Sequence, residues 1–178
     1  NETNSTNWAN LTTGAYTYYD NNSNNSTTYG NLYNWYVVEN SNGVCPEEWH
    51  VPNQDEWVTL IENVGGSCTY SIGHGCVRYT NGYKLKDTGT SYWSSPNTGA
   101  TNESGFTALP GGILWVDNGY TYSSQPLIGE YGAFWSSSTV SADFNPKHWI
   151  LELHYNKSEV EMQWIKAVQG LSIRCLKD

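Results

Sequence analysis

The sequence predicts an α+β domain: a mostly antiparallel β-sheet braced by one clear helix, interrupted by long irregular loops and stapled by disulfides. Three observations predict it. First, two runs near the C-terminal end alternate at the period of a pleated strand. Trp149, Leu151, Leu153 and Tyr155 fall on one face, with Ile150, Glu152 and His154 on the other; then Val160, Met162 and Trp164 oppose Glu159, Glu161 and Gln163. Asn156-Lys157-Ser158 supplies a polar turn, so the two runs read as a β-hairpin with one face on a core and the other free for use. Second, Asn53 with Glu56 three residues later is a capping-box pattern, and Trp57, Leu60, Ile61 and Val64 form one apolar stripe, so Asn53 to Val64 reads as a helix stopped by Gly65-Gly66. Third, the cysteines are four, an even number that agrees with an oxidising compartment. Of the three pairings, we favour Cys68 with Cys76, closing a small loop, and Cys45 with Cys175, tying the start of the helix to the last strand.

Taken in order, residues 1–28 form an Asn/Ser/Thr-rich segment partly packed on the body through Trp8, Leu11, Tyr16 and Tyr18. Asp20 to Thr28 has no apolar residue and is expected as a loop. Tyr29 to Val38, YGNLYNWYVV, is rich in aromatic and β-branched residues and reads as a first strand inside a sheet. A weaker helical turn is expected around Tyr83 to Asp87. Thr90 to Gly112 is nearly all turn chemistry, and so long an irregular stretch is either functional or held by many polar contacts. Ile113 to Val116 reads as a short strand, Asp117 to Gly132 as a loop with exposed tyrosines, and Leu171 to Cys175 as the last strand.

Composition excludes some partners. A net charge of -9 with eight Lys and Arg cannot neutralise many phosphates, which argues against nucleic acid and anionic membrane surfaces. No apolar run approaches the length of a bilayer span, so membrane insertion is not expected. The chain begins at Asn1, which reads as a mature or excised piece of a longer protein with other domains. Polar bulk from Asn, Ser, Thr and Gly in place of Lys and Glu points to a secreted or cell-surface setting.

The motifs YGNLYNWYVV, GVCPEEWHVPNQDEW, KLKDTGTSYW, NTGATNESGFTALPGG, FWSSS and GLSIRCLKD, in this order and nearly this spacing, resemble the Fibrobacter succinogenes major paralogous domain. The resemblance covers roughly Trp8 to Asp178. It implies residence in secreted and surface proteins of bacteria. It also implies a C-type lectin-like fold over 29–178, as in formylglycine-generating enzymes and the variable proteins of diversity-generating retroelements. A disulfide from the first helix region to the last strand is implied too, in agreement with Cys45–Cys175. No activity is implied by the family itself.

Enzyme readings find little support. His50, His74, His148 and His154 form no H-E-x-x-H pair, and there is no G-x-S-x-G elbow. His148 and His154 share a face of one strand. Glu159 and Glu161 share another face, where a solvated sheet edge is a better reading than paired acids. Formylglycine-generating enzymes use a C-terminal cysteine pair on copper, whereas Cys175 stands alone. The sugar-binding calcium site of C-type lectins is matched only loosely, because Gln125-Pro126-Leu127 lacks the acid and Trp115-Val116-Asp117-Asn118 only approximates W-N-D. A structural calcium on Asp117, Asn118, Glu130 or Asp143 is carried as an expectation.

The expected function is therefore non-catalytic: an adhesin-like extracellular module that recognises a glycan or a protein on another surface through its long loops and terminal hairpin. Rigid rings give contact area at small entropic cost and small polar groups give hydrogen bonds. The candidate contacts are Trp115, Tyr120, Tyr122, Trp135, Asn145, His148 and Trp164. The alternatives are an inert spacer or a diversified receptor, with a formylglycine-generating-type oxidoreductase ranked last.

Overall fold

The fold is described from a computed structural model that covers residues 1–41, 43–73, 75–117, 120–122, 128–141 and 146–178, with the backbone alone at residues 5, 120–122 and 141. The N-terminal segment begins with helix α1 (Ser5–Ala9), capped by the Asn4 side chain accepting from the Asn7 amide. Strand β1 (Tyr16–Thr17) follows, then helix α2 (Ser23–Tyr29). Residues 20–28, expected as a loop for want of apolar side chains, thus contain a helix. It buries nothing and is fixed locally, by Asn22 accepting from the Asn24 amide and by Gly30 at φ 81° behind it.

Strand β2 (Leu32–Tyr33) pairs with β1, and there the strand expected over Tyr29 to Val38 stops. Asn34 is the reason. Its buried side chain accepts from the Ala15 amide at 2.9 Å and donates to the Thr13 carbonyl at 2.9 Å, and Trp35–Val37 turn away as a 3-10 helix. After β3 (Trp49–His50) comes helix α3 (Gln54–Asn63), as expected, with both halves of the capping box made between Asn53 and Glu56. Trp57 and Ile61 are buried, and Leu60 and Val64 pack at the margin of the same core.

Strands β4 (Cys68–Ile72) and β5 (Gly75–Tyr79) form a hairpin closed by the Cys68–Cys76 disulfide. The helical turn expected at Tyr83 to Asp87 is a 3-10 turn over Gly82–Lys84. Residues 90–112 hold no helix or named strand, as their composition implies. Strand β6 (Trp115–Asp117) then pairs with β7 (Tyr120–Tyr122), so the loop expected over Asp117 to Gly132 contains one arm of a short hairpin. Strands β8 (Tyr131–Ser141), β9 (Lys147–His154) and β10 (Val160–Lys166) complete the main sheet, which is antiparallel in the order β4-β5-β10-β9-β8.

The expected hairpin is β9–β10, with Leu151 opposite Met162 and Trp149 opposite Trp164. The last strand is displaced: Leu171 and Ser172 make single bridges to Tyr33 and Phe134, and pairing resumes as β11 (Leu176–Lys177) on β3. Beside it lies the Cys45–Cys175 disulfide, Cα–Cα 5.7 Å, across a separation of 130 residues. A loop that long is worth about 5 kcal/mol in the chain-entropy model.

One expectation is corrected here. The second face of the hairpin is not free, because both faces of the sheet are covered. Trp149, Leu151, Leu153 and Met162 pack with α3, while Ile150 joins Trp35, Trp135, Ala167 and Leu171 in a second core on the other side. The alternation in the sequence reports faces; it does not report what lies against them.

Candidate functional site

Two constellations occupy that second face, at opposite ends of β9. The first is a cleft of about 460 Å³ lined by Trp35, Tyr36, Glu39, Thr139, Pro146, His148, Lys166, Ala167 and Val168. The turn forced by Asn34 delivers Trp35 onto His148, with ring centroids 3.5 Å apart and planes 15° from parallel. Both rings are fixed: Trp35 donates from its indole to the Ser136 carbonyl at 3.0 Å, and His148 Nδ1 lies 3.2 Å from the Thr139 hydroxyl. Burial pulls the His148 pKa down to about 4, so the ring is neutral at pH 7, and among the described residues its buried Nε2 has no hydrogen-bond partner. Glu39 and Lys166 stand exposed on the rim, and among the described residues neither is drawn into an ion pair. The cleft thus offers an aromatic floor and charged, hydroxyl-bearing walls.

The second constellation is a buried polar cluster. Glu152 and Glu161 are cross-strand partners on β9 and β10, Arg78 of β5 lies opposite Glu161, and His154 packs on Tyr131 of β8 with ring centroids 4.1 Å apart. Lys157 Nζ lies 2.8 Å and Arg78 Nε 3.4 Å from Glu161 Oε1. His154 Nε2 is 3.9 Å from Glu152 Oε2, too far for a hydrogen bond. Burial, reinforced by the Glu161 charge, pushes Glu152 up to about 7. Burial also acts upward on Glu161, but the Lys157 hydrogen bond and charge outweigh it and hold that carboxyl below the usual range. Burial and the Lys157 charge bring His154 down to about 4. The two facing carboxyls are therefore pushed in opposite directions. Reading Glu161 as a solvated edge residue is corrected: β10 lies between β5 and β9, and the side chain is buried.

Of the residues expected to meet a ligand, His148 lies in the cleft. Trp135 is fully buried, its indole donating to the Tyr33 carbonyl at 2.7 Å, and serves the second core. Trp164 is half-buried against Trp149, ring centroids 5.1 Å apart, on the α3 side of the sheet. Trp115 is 39% exposed on β6. The side chains of Tyr120 and Tyr122, and Asn145 altogether, lie outside the described residues, as do Asn118 and Asp143 of the expected calcium set. Asp117 ends β6 and Glu130 precedes β8, its carbonyl accepting from the Tyr155 amide at 3.0 Å. Among the described residues, the three-member group of ligand atoms close enough to share an ion is elsewhere, at Glu152, His154 and Glu161.

Sequence reasoning missed Trp35, Tyr36, Thr139 and Lys166. A signal for the first two was present in Asn34, a buried-strand breaker in the middle of an aromatic run. Lys166 and Thr139 carry no local signal. The segment after β10 joins the cleft to the short hairpin, since Gln169 clamps Val116 through both the amide N–H and the carbonyl, beside the exposed Trp115.

Fold and site together define a disulfide-stapled α+β domain whose terminal hairpin carries an aromatic cleft at one end. The chain matches the Fibrobacter succinogenes major domain over residues 1–177 and belongs to that family. No curated protein and no solved structure matches it.

Proposed function

We propose that this domain is a non-catalytic, adhesin-like recognition module of C-type lectin-like architecture, secreted or displayed at a cell surface, and that the Trp35–His148 cleft receives its ligand. The architecture is supported by the helix after the first short strands, the long irregular region and the terminal hairpin stapled from Cys45 to Cys175. An extracellular setting is supported by two disulfides that leave no cysteine free. Among the described residues no helix is long and apolar enough to cross a membrane.

A glycan is the favoured occupant. The single observation that carries this is the rigid aromatic floor set between a hydroxyl and two charges of opposite sign that no ion pair among the described residues consumes. Ring faces pack on sugar C–H surfaces, and the rim donates and accepts toward hydroxyls; a few well-placed polar groups around an apolar base are how small-ligand clefts acquire specificity. The test is a glycan array, with the best binder followed by calorimetry on the wild type and on Tyr36→Ala and Lys166→Ala. A loss of about tenfold or more for each variant, about 1.4 kcal/mol, with unchanged melting temperatures is the expected outcome. Binding untouched by both substitutions removes the cleft from the reading, a hit on peptides in place of glycans moves it to a protein partner, and silence on both favours the spacer.

A further inference from the structure

The buried cluster at the far end of β9 is not used by the cleft, and its geometry invites a different occupant. Three features stand out. All three residues are buried, at 8%, 7% and 7% exposure for Glu152, His154 and Glu161, whereas chance carboxylate clusters are solvated. One ligand atom from each lies within 4.8 Å of the others. Independently of the carboxylates, His154 Nε2 is a buried polar atom with no hydrogen-bond partner among the described residues, and the acceptor it faces, Glu152 Oε2, is 3.9 Å off. Unpaired buried polar atoms are rare and each calls for a cause. A gap of that size is what two metal–ligand bonds of about 2.1 Å each span when they meet at a wide angle.

We propose that Glu152, His154 and Glu161 form a binding site for one divalent transition-metal ion of the zinc or manganese class. An imidazole nitrogen with two carboxylates suits these ions, while calcium and magnesium prefer all-oxygen shells. The strand pattern builds the site: Glu152 and Glu161 are in direct cross-strand register, and His154 follows Glu152 by two residues on the same face. Tyr131 against His154 limits the ring's movement, and the Lys86 ammonium holds the His154 carbonyl at 3.1 Å. Each of the three side chains keeps about a tenth of its surface open.

A competitor is already in place. Lys157 Nζ sits 2.8 Å from Glu161 Oε1, and its side chain is 39% exposed on the hairpin turn, so it is free to swing into solvent when an ion takes the carboxylate. Arg78 and Gln163 also touch Glu161, at 3.4 Å each, and accept the same displacement. Metal and Lys157 therefore exclude one another at one oxygen. This yields a readout that a mere ion network does not give.

The experiment titrates chelator-treated protein with Zn²⁺ and, separately, Mn²⁺, by calorimetry and by melting temperature. Wild type should bind one ion per chain and melt higher with it, since an ion held only by the folded state stabilises that state. Glu152→Gln, which keeps the shape and should fold, and His154→Gln should each weaken binding by about tenfold or more and abolish the shift. Lys157→Gln should tighten binding. His50→Gln, which removes a half-buried histidine lying between Glu56 and Asp178, should leave metal binding and the metal-induced shift unchanged. The proposal is overturned if wild type binds neither ion, or if binding survives both Glu152→Gln and His154→Gln. Weaker metal binding in Lys157→Gln also overturns it.

Discussion

Lys86 is the residue whose role the sequence hides most completely. Within KLKDTG, Lys84 and Lys86 look alike, yet Lys84 reaches an exposed Glu103 at 2.9 Å while Lys86 is fully buried. Its three N–H groups have three carbonyl acceptors, those of Thr98 at 3.2 Å, His154 at 3.1 Å and Lys157 at 3.0 Å, which pins the hairpin turn onto the irregular region. Burial lowers its pKa to about 8, so the ammonium is still charged at neutral pH. Lys86→Met fills the same volume but takes the donor from one buried and two part-buried carbonyls, and leaving such groups short of a partner costs about 1–3 kcal/mol. Denaturant titration of Lys86→Met against Lys84→Met should show a large loss for the first and almost none for the second. Equal effects would mean that the three carbonyls find other partners.

At the scale of elements, legibility followed the strength of local signals. Helix α3 was readable because cap, stripe and stop all lie within its own thirteen residues, from Asn53 to Gly65. The β9–β10 hairpin was readable because the alternation is strict on both arms. The run from Tyr29 to Val38 misled, because aromatic and β-branched side chains are as welcome in a buried turn as in a strand, and Asn34 decides between them through contacts with residues about twenty positions earlier. Helix α2 misled in the opposite sense: with no burial to announce it, only its caps hold it. Asn34→Ala tests the turn. Losing a buried donor and a buried acceptor together should cost about 2–3 kcal/mol. It should also loosen Trp35 from His148, read as a red-shifted and more quenchable tryptophan emission. A stable variant with unchanged emission would show that the turn is held by something other than Asn34.

For the whole molecule, what the sequence could not show is closure. Segment 166–172 gathers distant parts of the chain: Trp8 donates to the Val168 carbonyl, Trp35 to that of Ala167, Trp135 to that of Ser172, and Leu171 exchanges both backbone bonds with Tyr33. Each link spans tens of residues or more and leaves no periodic trace, so the cover over the second sheet face, and with it the cleft and the buried cluster, was invisible to pattern reading. The cysteines were a partial exception, because an even number announces a tie even though its partners had to be chosen among three pairings.

That cover also gives the domain an acid sensitivity with a calculable sign. His148 titrates near 4 in the folded chain and near 6.5 when unfolded, so as pH falls the unfolded chain takes the proton first. Its contribution is complete above 6.5 and drains away toward 4. In metal-free protein, His154 is shifted down in the same way, while Glu152 is shifted up to about 7 and works in the opposite sense, so over pH 4.5 to 6.5 these two slopes cancel. His50 adds no slope in that window. The Asp178 and Glu56 hydrogen bonds raise its pKa, so its contribution is intact below 6.5 and is lost only as pH climbs through the raised value. The largest remaining part is the His148 proton, at most about 1.4 kcal/mol per pH unit and roughly 2 kcal/mol across the window, with Glu161 and Glu103, both held below the usual carboxylate range, adding slope of the same sign at its acid end. His148→Phe keeps a flat ring under Trp35 and removes the titration. Denaturant midpoints should fall from pH 6.5 to 4.5 for wild type and fall clearly less for His148→Phe. If the variant loses as much stability in acid as the wild type does, the protons enter elsewhere and the neutral imidazole beneath the cleft is not the group that senses them.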